Sequence, residues 1–324
     1  MRAKWQVGAA VGASVLVVAG IVAAVVITRD RGGPGAVGTS STSSTSPSTT
    51  TTSTTTSAPR LPGVLAVKVD NAPAARPQTG AGSADVVFVE PVEGGLTRLV
   101  LVFSTPPDVV GPVRSARETD LDLLAQYGSP VLAHSGSAPE LVALLAESGV
   151  VRASPAEAGD AFFRDPGRPV PHNLYVRPDR LPAPAAGPTR APTTGPAPPG
   201  GRPVTTWSVR YPATGFDLAW AGAWAVSVDG SPMTSTESGP VSAANVVVQR
   251  VPVGTGAVAE DTAGSPSPVA ITIGSGAAVV LRDGSAFDVT WSRPTPSEPT
   301  RFAAADGSEV PLAPGRTWVF LVPE

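Results

Sequence analysis

The chain after residue 60 alternates short apolar runs with polar breaks, a pattern that predicts strands first. Leu65–Val69 and Ala84–Val89 each end at a polar or acidic residue, as half-buried strands do. Thr97–Ser104 is almost wholly apolar, which is typical of a central strand covered on both faces. Pro130–His134 is a fourth short buried strand. These runs predict a sheet in the first half of the chain.

Two helices are predicted between these strands. Each opens with a serine followed three residues later by a glutamate, the pattern of a capping box: Ser115 with Glu118, and Ser137 with Glu140. Gly128 and Gly149 then stand where each helix would end. Strands alternating with helices favour an α/β (or α+β) N-terminal domain with a mixed sheet over residues 60–181.

From Val204 onward the pattern contains short strands alone. The predicted strands are Thr205–Tyr211, Trp220–Val228, Asn245–Val251, Val269–Ile273, Ala277–Arg282, Phe287–Trp291 and Thr317–Val322. Asp283–Gly284 predicts a hairpin turn, and Val253–Pro268 is interpreted as a loop insertion. We therefore expect a mainly β C-terminal domain, sandwich-like or barrel-like, over residues 204–324. The Pro-rich residues 182–203 are predicted to link the two domains.

The N-terminal residues carry a different pattern. Val7–Ile27 is uncharged and would span roughly 30 Å as a helix, so it predicts a transmembrane anchor, with a cleaved signal peptide as the alternative. Arg2 and Lys4 favour a cytoplasmic segment 1–6. The Ser/Thr-rich residues 28–59 predict a disordered stalk. The expected location is therefore a single-pass cell-membrane protein with extracytoplasmic C-terminal domains.

The amino-acid composition excludes several classes of catalytic and metal-binding site. The absence of cysteine excludes disulfides, thiolate catalysis and Cys-ligated zinc. His134 and His172 are the only histidines, so a multi-histidine metal site within one chain is excluded. A net charge of -3 gives no global basic field, and we expect no nucleic-acid partner. No cofactor and no metal are predicted.

Charged residues cluster around the predicted helix starts in the first domain. Backbone N–H groups at helix N-termini and nearby arginines favour phosphate, pyrophosphate or carboxylate ligands. The candidate ligand-binding residues are Asp70, Asn71, Glu93, Arg98, Arg114, Arg117, His134, Arg164, His172 and Asn173. The alternative is that these arginines pair with neighbouring carboxylates as a structural network. Both interpretations stay open, and no catalytic residue is assigned.

Several blocks in this order resemble a known family. In the first domain they are Asp70–Asn71, Arg76–Gln78, Glu93–Arg98, Gly111–Arg117, His134–Gly136, Phe163–Asp165 and Pro171–Tyr175. In the second they are Asn245–Gln249, Gly274–Gly276, Asp283–Gly284, Trp291 and Pro314–Trp318. They are similar to the signature blocks of the YerB-like family, a bacterial envelope family known as a domain of unknown function (DUF3048).

The resemblance implies membrane tethering and two domains, and it brings no established reaction. Many relatives are lipoproteins, whereas this chain has no cysteine to carry the lipid. Gly230–Thr236 departs from the family, which often has an aspartate after a turn there.

Three functions are consistent with the sequence. The first is a non-enzymatic envelope protein that binds an anionic cell-wall or lipid-linked ligand, or a protein of cell-wall synthesis. The second is an enzyme acting on phosphoryl- or pyrophosphoryl-linked cell-wall glycans, with Asp70, Glu93 or His172 as base. The third is a purely structural protein. Whether the protein is an enzyme is left open.

Overall fold

The computed structural model describes residues 63–185, 192–259 and 266–324. Within these ranges, most of the predicted strands are present. The strands of its first half are β1 Leu65–Asp70, β2 Val86–Pro91, β3 Thr97–Phe103, β4 Val131–Ala133, β5 Val151–Ala153, β6 Phe162–Arg164 and β7 Leu174–Val176. The helices are α1 Thr119–Ala125 and α2 Pro139–Glu147. Short 3-10 turns occupy Pro73–Ala75, Glu93–Gly95, Gly159–Ala161 and Pro178–Arg180.

The described residues after 192 contain strands and no helix. These strands are β8 Arg202–Pro203, β9 Thr206–Arg210, β10 Gly215–Trp220, β11 Trp224–Val228, β12 Ser231–Pro232, β13 Thr234–Ser235, β14 Gly239–Pro240, β15 Ser242–Ala243, β16 Asn245–Val251, β17 Val253–Ala259, β18 Pro266–Ala270, β19 Gly274–Arg282, β20 Ser285–Arg293, β21 Arg301–Ala303 and β22 Thr317–Pro323. The described chain is therefore mostly β, with two α-helices.

One large mixed sheet contains strands from both halves of the chain. Its order is β21-β20-β19-β16-β22-β2-β3-β1-β4-β5, with β8 paired to β20. The last strand, β22, lies parallel to both β16 and β2, with Thr317 opposite Asn245 on one side and Val86 on the other. The strands β1, β4 and β5 are also parallel, as predicted for part of the first half. The C-terminal strand thus joins the two halves.

The two faces of this sheet are covered differently. On one face, Val67 and Leu99 share a buried cluster with Phe216 and Trp224 from a second sheet, β12-β11-β10-β9 with β15. On the other face, Val100 packs in a cluster that contains buried leucines of α1 and α2. Odd-numbered and even-numbered positions of β3 point to opposite faces, so each face has its own core.

Both predicted capping boxes are wrong. α1 begins at Thr119, four residues after Ser115, and neither helix has a side-chain cap hydrogen bond. For α1 the reason is tertiary: Arg114 donates its amide to Lys68 O and accepts at its carbonyl from Ser135 N. The chain leading into Ser115 is therefore held between β1 and the segment after β4, and the helix begins further along.

The second half contains two further corrections and two confirmations. The strand predicted over residues 220–228 is interrupted, since β10 ends and β11 begins on either side of a turn at Gly222. In its described part, the loop predicted over residues 253–268 is instead the antiparallel pair of β17 and β18. The strand Asn245–Val251 is confirmed, and Asp283–Gly284 forms the predicted hairpin turn with positive φ at both residues.

The predicted segments 1–6, 7–27 and 28–59 lie outside the described residues. Within residues 63–185, 192–259 and 266–324, none of the helices has the length and apolarity needed to cross a bilayer. The predicted domain boundaries, including the linker 182–203, stay predictions. Residues 202–203 of that linker pair with β20.

Candidate anion-binding site

Asp70, the last residue of β1, is the centre of a small polar cluster. Its Oδ2 accepts a hydrogen bond from His172 Nδ1 at 2.7 Å and forms an ion pair with Arg114 Nε at 3.1 Å. Its Oδ1 accepts from the Ala72 amide at 3.1 Å. The Asp70 side chain is 6% exposed, and that of His172 is 19% exposed. A carboxylate at Nδ1 fixes the imidazole orientation and leaves Nε2 for another partner.

Backbone pairing brings these three residues together. The segment containing Arg114 runs beside β1, with Arg114 N donating to Lys68 O and Asp70 N donating to Pro112 O, both at 2.9 Å. The loop before His172 is held by Arg168, whose guanidinium donates to Ala75 O and Pro77 O. Residues distant in the chain therefore meet at the carboxyl end of β1.

Arg98 lies opposite Asp70 in the β1–β3 register and is 8% exposed. Its one hydrogen bond to a described residue is weak, from Nη1 to Ser115 O at 3.4 Å. No carboxylate in the described parts of the chain lies within ion-pair distance of it. Burial and the nearby Arg117 lower the pKa of Arg98 to about 10, so it still carries its charge at neutral pH. This cation has hydrogen-bonding capacity left over.

Glu93 and Arg117 form a bidentate pair beside Arg98. Arg117 Nε donates to Glu93 Oε1 at 2.9 Å, and Nη2 donates to Oε2 at 3.1 Å. Burial by itself would raise the pKa of Glu93, but the hydrogen bonds from Arg117 prevail and lower it to about 2. Glu93 is therefore ionised at neutral pH and already engaged by Arg117.

A second charged cluster, which sequence reasoning did not predict as a unit, lies beneath this pair. Lys68 Nζ contacts Glu90 Oε1 and lies 2.7 Å from Asp120 Oδ1, and all three side chains are fully buried. Asp120 Oδ2 accepts the Arg117 amide at 2.8 Å. The signal that could have revealed it is Lys68 itself, a charge in the middle of an apolar strand.

The remaining predicted residues are placed apart from Asp70 or serve as supports. Asn71 Nδ2 donates to Thr97 Oγ1, and Arg164 donates to Asn173 Oδ1 within the β6–β7 hairpin. His134 follows β4 and bonds Gly136 through Nδ1, and burial lowers its pKa. The contacts found for Arg164, Asn173 and His134 do not include Asp70, Arg98 or Arg114.

The second half of the chain reaches back to support this region. Arg76 donates to Asn71 O and forms an ion pair with Asp229 Oδ2, each at 2.7 Å. The Thr236 amide, at the end of the stretch that departs from the family pattern, donates to Gln78 O. Gln78 in turn donates to Asp70 O at 3.1 Å. The backbone of Asp70 is thus held partly through residues far along the chain.

Three guanidinium groups, those of Arg98, Arg114 and Arg117, lie in this region, and His172 Nδ1 is held by Asp70. Asp70 and Glu93 are already engaged by cations, so they offer no open pair of ligands. Over the ranges that the structure describes, no group of three histidine, aspartate or glutamate side chains could hold a metal ion.

The fold and this cluster define a mixed-sheet protein with a cationic polar site at the end of β1. The family model for the N-terminal domain of a protein of unknown function (DUF3048) matches residues 49–190, and the model for its C-terminal domain matches residues 207–319. The chain belongs to this YerB-like family.

Two comparisons come from Bacillus subtilis. The candidate lipoprotein YerB of strain 168 is 36% identical over 119 residues, a stretch that spans 36% of this chain and 36% of that protein. The crystal structure of YerB superposes with a TM-score of 0.68 and 23% identity, covering 81% of this chain and 91% of that one. At that identity the structural likeness shows the fold.

Proposed function

We propose that this protein is a membrane-associated, extracytoplasmic protein that binds an anionic envelope ligand at Asp70, Arg98, Arg114, Arg117 and His172. One observation carries the proposal: Arg98 is almost buried, charged, and without a carboxylate partner among the described residues. Burying a charge is costly unless something compensates it. A bound anion would supply that compensation.

The charges around Arg98 support an anion as the ligand. Arg114 is paired with Asp70 and Arg117 with Glu93, so these four charges balance and Arg98 is the cation in excess. Guanidinium groups bind phosphate oxygens through paired N–H donors. A phosphate or pyrophosphate group of a cell-wall or lipid-linked molecule fits this chemistry better than a neutral sugar.

The location rests on the family and on the predicted N-terminal segments. The similarity to a candidate lipoprotein supports membrane association outside the cytoplasm. An anchor at residues 7–27 and a stalk at 28–59 would set the reach of the site above the membrane. A protein of cell-wall synthesis presenting the ligand would be the natural partner, and nucleic acid would not.

A second candidate function is an enzyme acting on phosphoryl- or pyrophosphoryl-linked cell-wall glycans. It is favoured by the Asp70–His172 pair, in which the carboxylate orients the imidazole for proton transfer. The arginines would then stabilise charge developing on the phosphoryl oxygens.

The test compares the full-length wild type with Arg98→Gln and, as a matched control, Arg301→Gln. Arg301 is 60% exposed, and its partner Glu309 lies 3.9 Å away. The probes are inorganic pyrophosphate and a short-chain polyprenyl pyrophosphate, with binding measured by calorimetry. We expect Arg98→Gln to weaken binding about tenfold or more, as loss of a charged hydrogen-bonding partner does, and Arg301→Gln to leave it unchanged.

Equal binding by Arg98→Gln and the wild type would refute the proposal, provided both unfold at comparable temperatures. Loss of thermal stability with no probe bound by the wild type would support the structural-network alternative instead. For the enzyme, release of inorganic phosphate is measured with wild type and His172→Asn. Turnover that disappears in His172→Asn while pyrophosphate still binds would establish the second function.

A further inference from the structure

We propose that Glu90 controls the strength of the anion site, because this buried carboxyl competes with the bound anion for the charge of Arg98. Uptake of a proton by Glu90 would then strengthen anion binding. The inference rests on the proposed anion-binding function and adds its regulation by pH.

The register of the sheet places Glu90 next to Arg98. Glu90 on β2 pairs directly with Arg98 on β3, and Asp70 on β1 pairs with Arg98 from the other side. Directly opposed residues of an antiparallel pair project from the same face, with Cβ atoms roughly 4.5–5.5 Å apart. Arg98 therefore lies between a carboxylate at the site, Asp70, and a carboxyl beneath it, Glu90.

The charge balance beneath the site is incomplete. Glu90 is faced by Lys68 from β1, Asp120 from α1 and Arg98 from β3. On the other face of the sheet, the buried Tyr211 hydroxyl donates to the carbonyl of Val89, the residue before Glu90. One lysine thus serves two carboxyl groups, and Glu90 Oε2 is buried with no hydrogen-bond partner among the residues that the structure describes.

Lys68 can balance only one of the two carboxylates, Glu90 and Asp120. The second negative charge is compensated either by Arg98 or by a proton on Glu90. When Glu90 is ionised, its negative charge offsets part of the positive charge of Arg98. The electrostatic attraction between Arg98 and a bound anion is then weaker. When Glu90 is protonated, Lys68 and Asp120 balance each other and Arg98 is left for the anion. Burial, opposed by Lys68, raises the pKa of Glu90 to about 7, so this exchange falls near neutral pH.

The test measures sulfate binding to the full-length protein at about pH 5.5 and about pH 8.5. Sulfate is chosen because its charge is constant over this range, unlike that of phosphate. A unit charge roughly 10 Å from a divalent anion changes the anion affinity by well over tenfold at an effective dielectric constant of about 20. We expect wild-type affinity to fall at least about tenfold at the higher pH, and Glu90→Gln to keep the tighter value throughout.

Glu309→Gln is the matched control, since it makes the same charge change at a 41% exposed side chain far along the chain. Every other charged group of the site is present in wild type, variant and control, so the difference between them isolates Glu90. Absence of sulfate binding by the wild type at both pH values would count against the anion site itself. Binding with parallel pH profiles in wild type and Glu90→Gln would overturn only the role of Glu90.

A second measurement applies if Glu90→Gln does not fold. Carboxyl NMR of wild-type protein labelled with ¹³C-glutamate follows the Glu90 titration with and without sulfate. Because linkage is reciprocal, a ligand that binds at least about tenfold tighter to the protonated form must raise the Glu90 pKa by at least about one unit. A pKa that is the same with and without saturating sulfate would refute the inference.

Discussion

Replacing Lys68 with methionine should destabilise the fold strongly, even though the new side chain is more apolar and of similar length. Lys68 is fully buried, and its ammonium group faces both Glu90 and Asp120. Removing it leaves two buried carboxyl groups without their cation. Breaking a buried charge pair by removing one partner costs about 3–5 kcal/mol.

The structure also predicts how this cost varies with pH. Without Lys68, Glu90 is harder to ionise, and its protonation relieves part of the penalty. Burial already raises the pKa of Glu90 to about 7 in the wild type, so it takes up a proton near neutral pH. Asp120 keeps the hydrogen bond from the Arg117 amide and so retains one stabilising contact. The destabilisation should therefore be largest above neutral pH and shrink on acidification.

The assay is urea unfolding of wild type and Lys68→Met at about pH 8.5 and about pH 5.5, with equal slopes of free energy against urea as the control for comparable unfolding. The triple variant Lys68→Met, Glu90→Gln, Asp120→Asn removes all three charges and should recover much of the lost stability at the higher pH. A loss below about 1 kcal/mol at about pH 8.5, or a loss that grows on acidification, would refute the argument.

Three further predictions concern two single carboxylates and one ion pair. Glu90→Gln should be at least as stable as wild type above pH 7, and this relative gain should vanish towards pH 4.5, because the raised pKa of Glu90 makes wild-type stability fall as pH rises from 4.5 through about 7. Thermal melts across this range check it, and a constant deficit would contradict it. Glu93→Gln should lower the melting temperature at neutral pH. The pKa of Glu93 is lowered from 4.5 to about 2 in the folded state, so its ionised carboxylate stabilises the fold at pH values above 4.5. The difference in melting temperature should disappear as the pH falls towards 2. Equal deficits at both ends would exclude this account. A double-mutant cycle of Arg76→Ala and Asp229→Ala should give a coupling energy on the order of 1 kcal/mol or less, because the side chains are 17% and 35% exposed; a coupling several times larger would show that the pair is effectively desolvated.

Much of the local structure could be predicted from the pattern of apolar residues. β1, β3 and Asn245–Val251 follow from alternating or continuous apolar runs. The turn at Asp283–Gly284 follows from residues that tolerate positive φ between two such runs. The site was predictable in part: Asp70, Arg98, Arg114 and His172 were all singled out by residue type.

The joining of both chain halves in one sheet required the tertiary structure. β22 lies beside β2, more than 220 residues away, and no local pattern specifies such a parallel pairing. The same applies to the start of α1, where serine and glutamate have capping spacing but Arg114 and Ala116 bond to other segments instead.

Within the site, the sequence determined which residues carry charge, and the register of the sheet decided which charges meet. Lys68, Glu90 and Asp120 are separated along the chain and form one buried cluster because β1, β3 and β2 lie side by side beneath α1. Arg98 ends without a carboxylate partner in the described structure because Asp70 and Glu93 meet other cations first. Charge is a property of each residue, whereas its compensation depends on distance and burial, which exist only once the chain is folded.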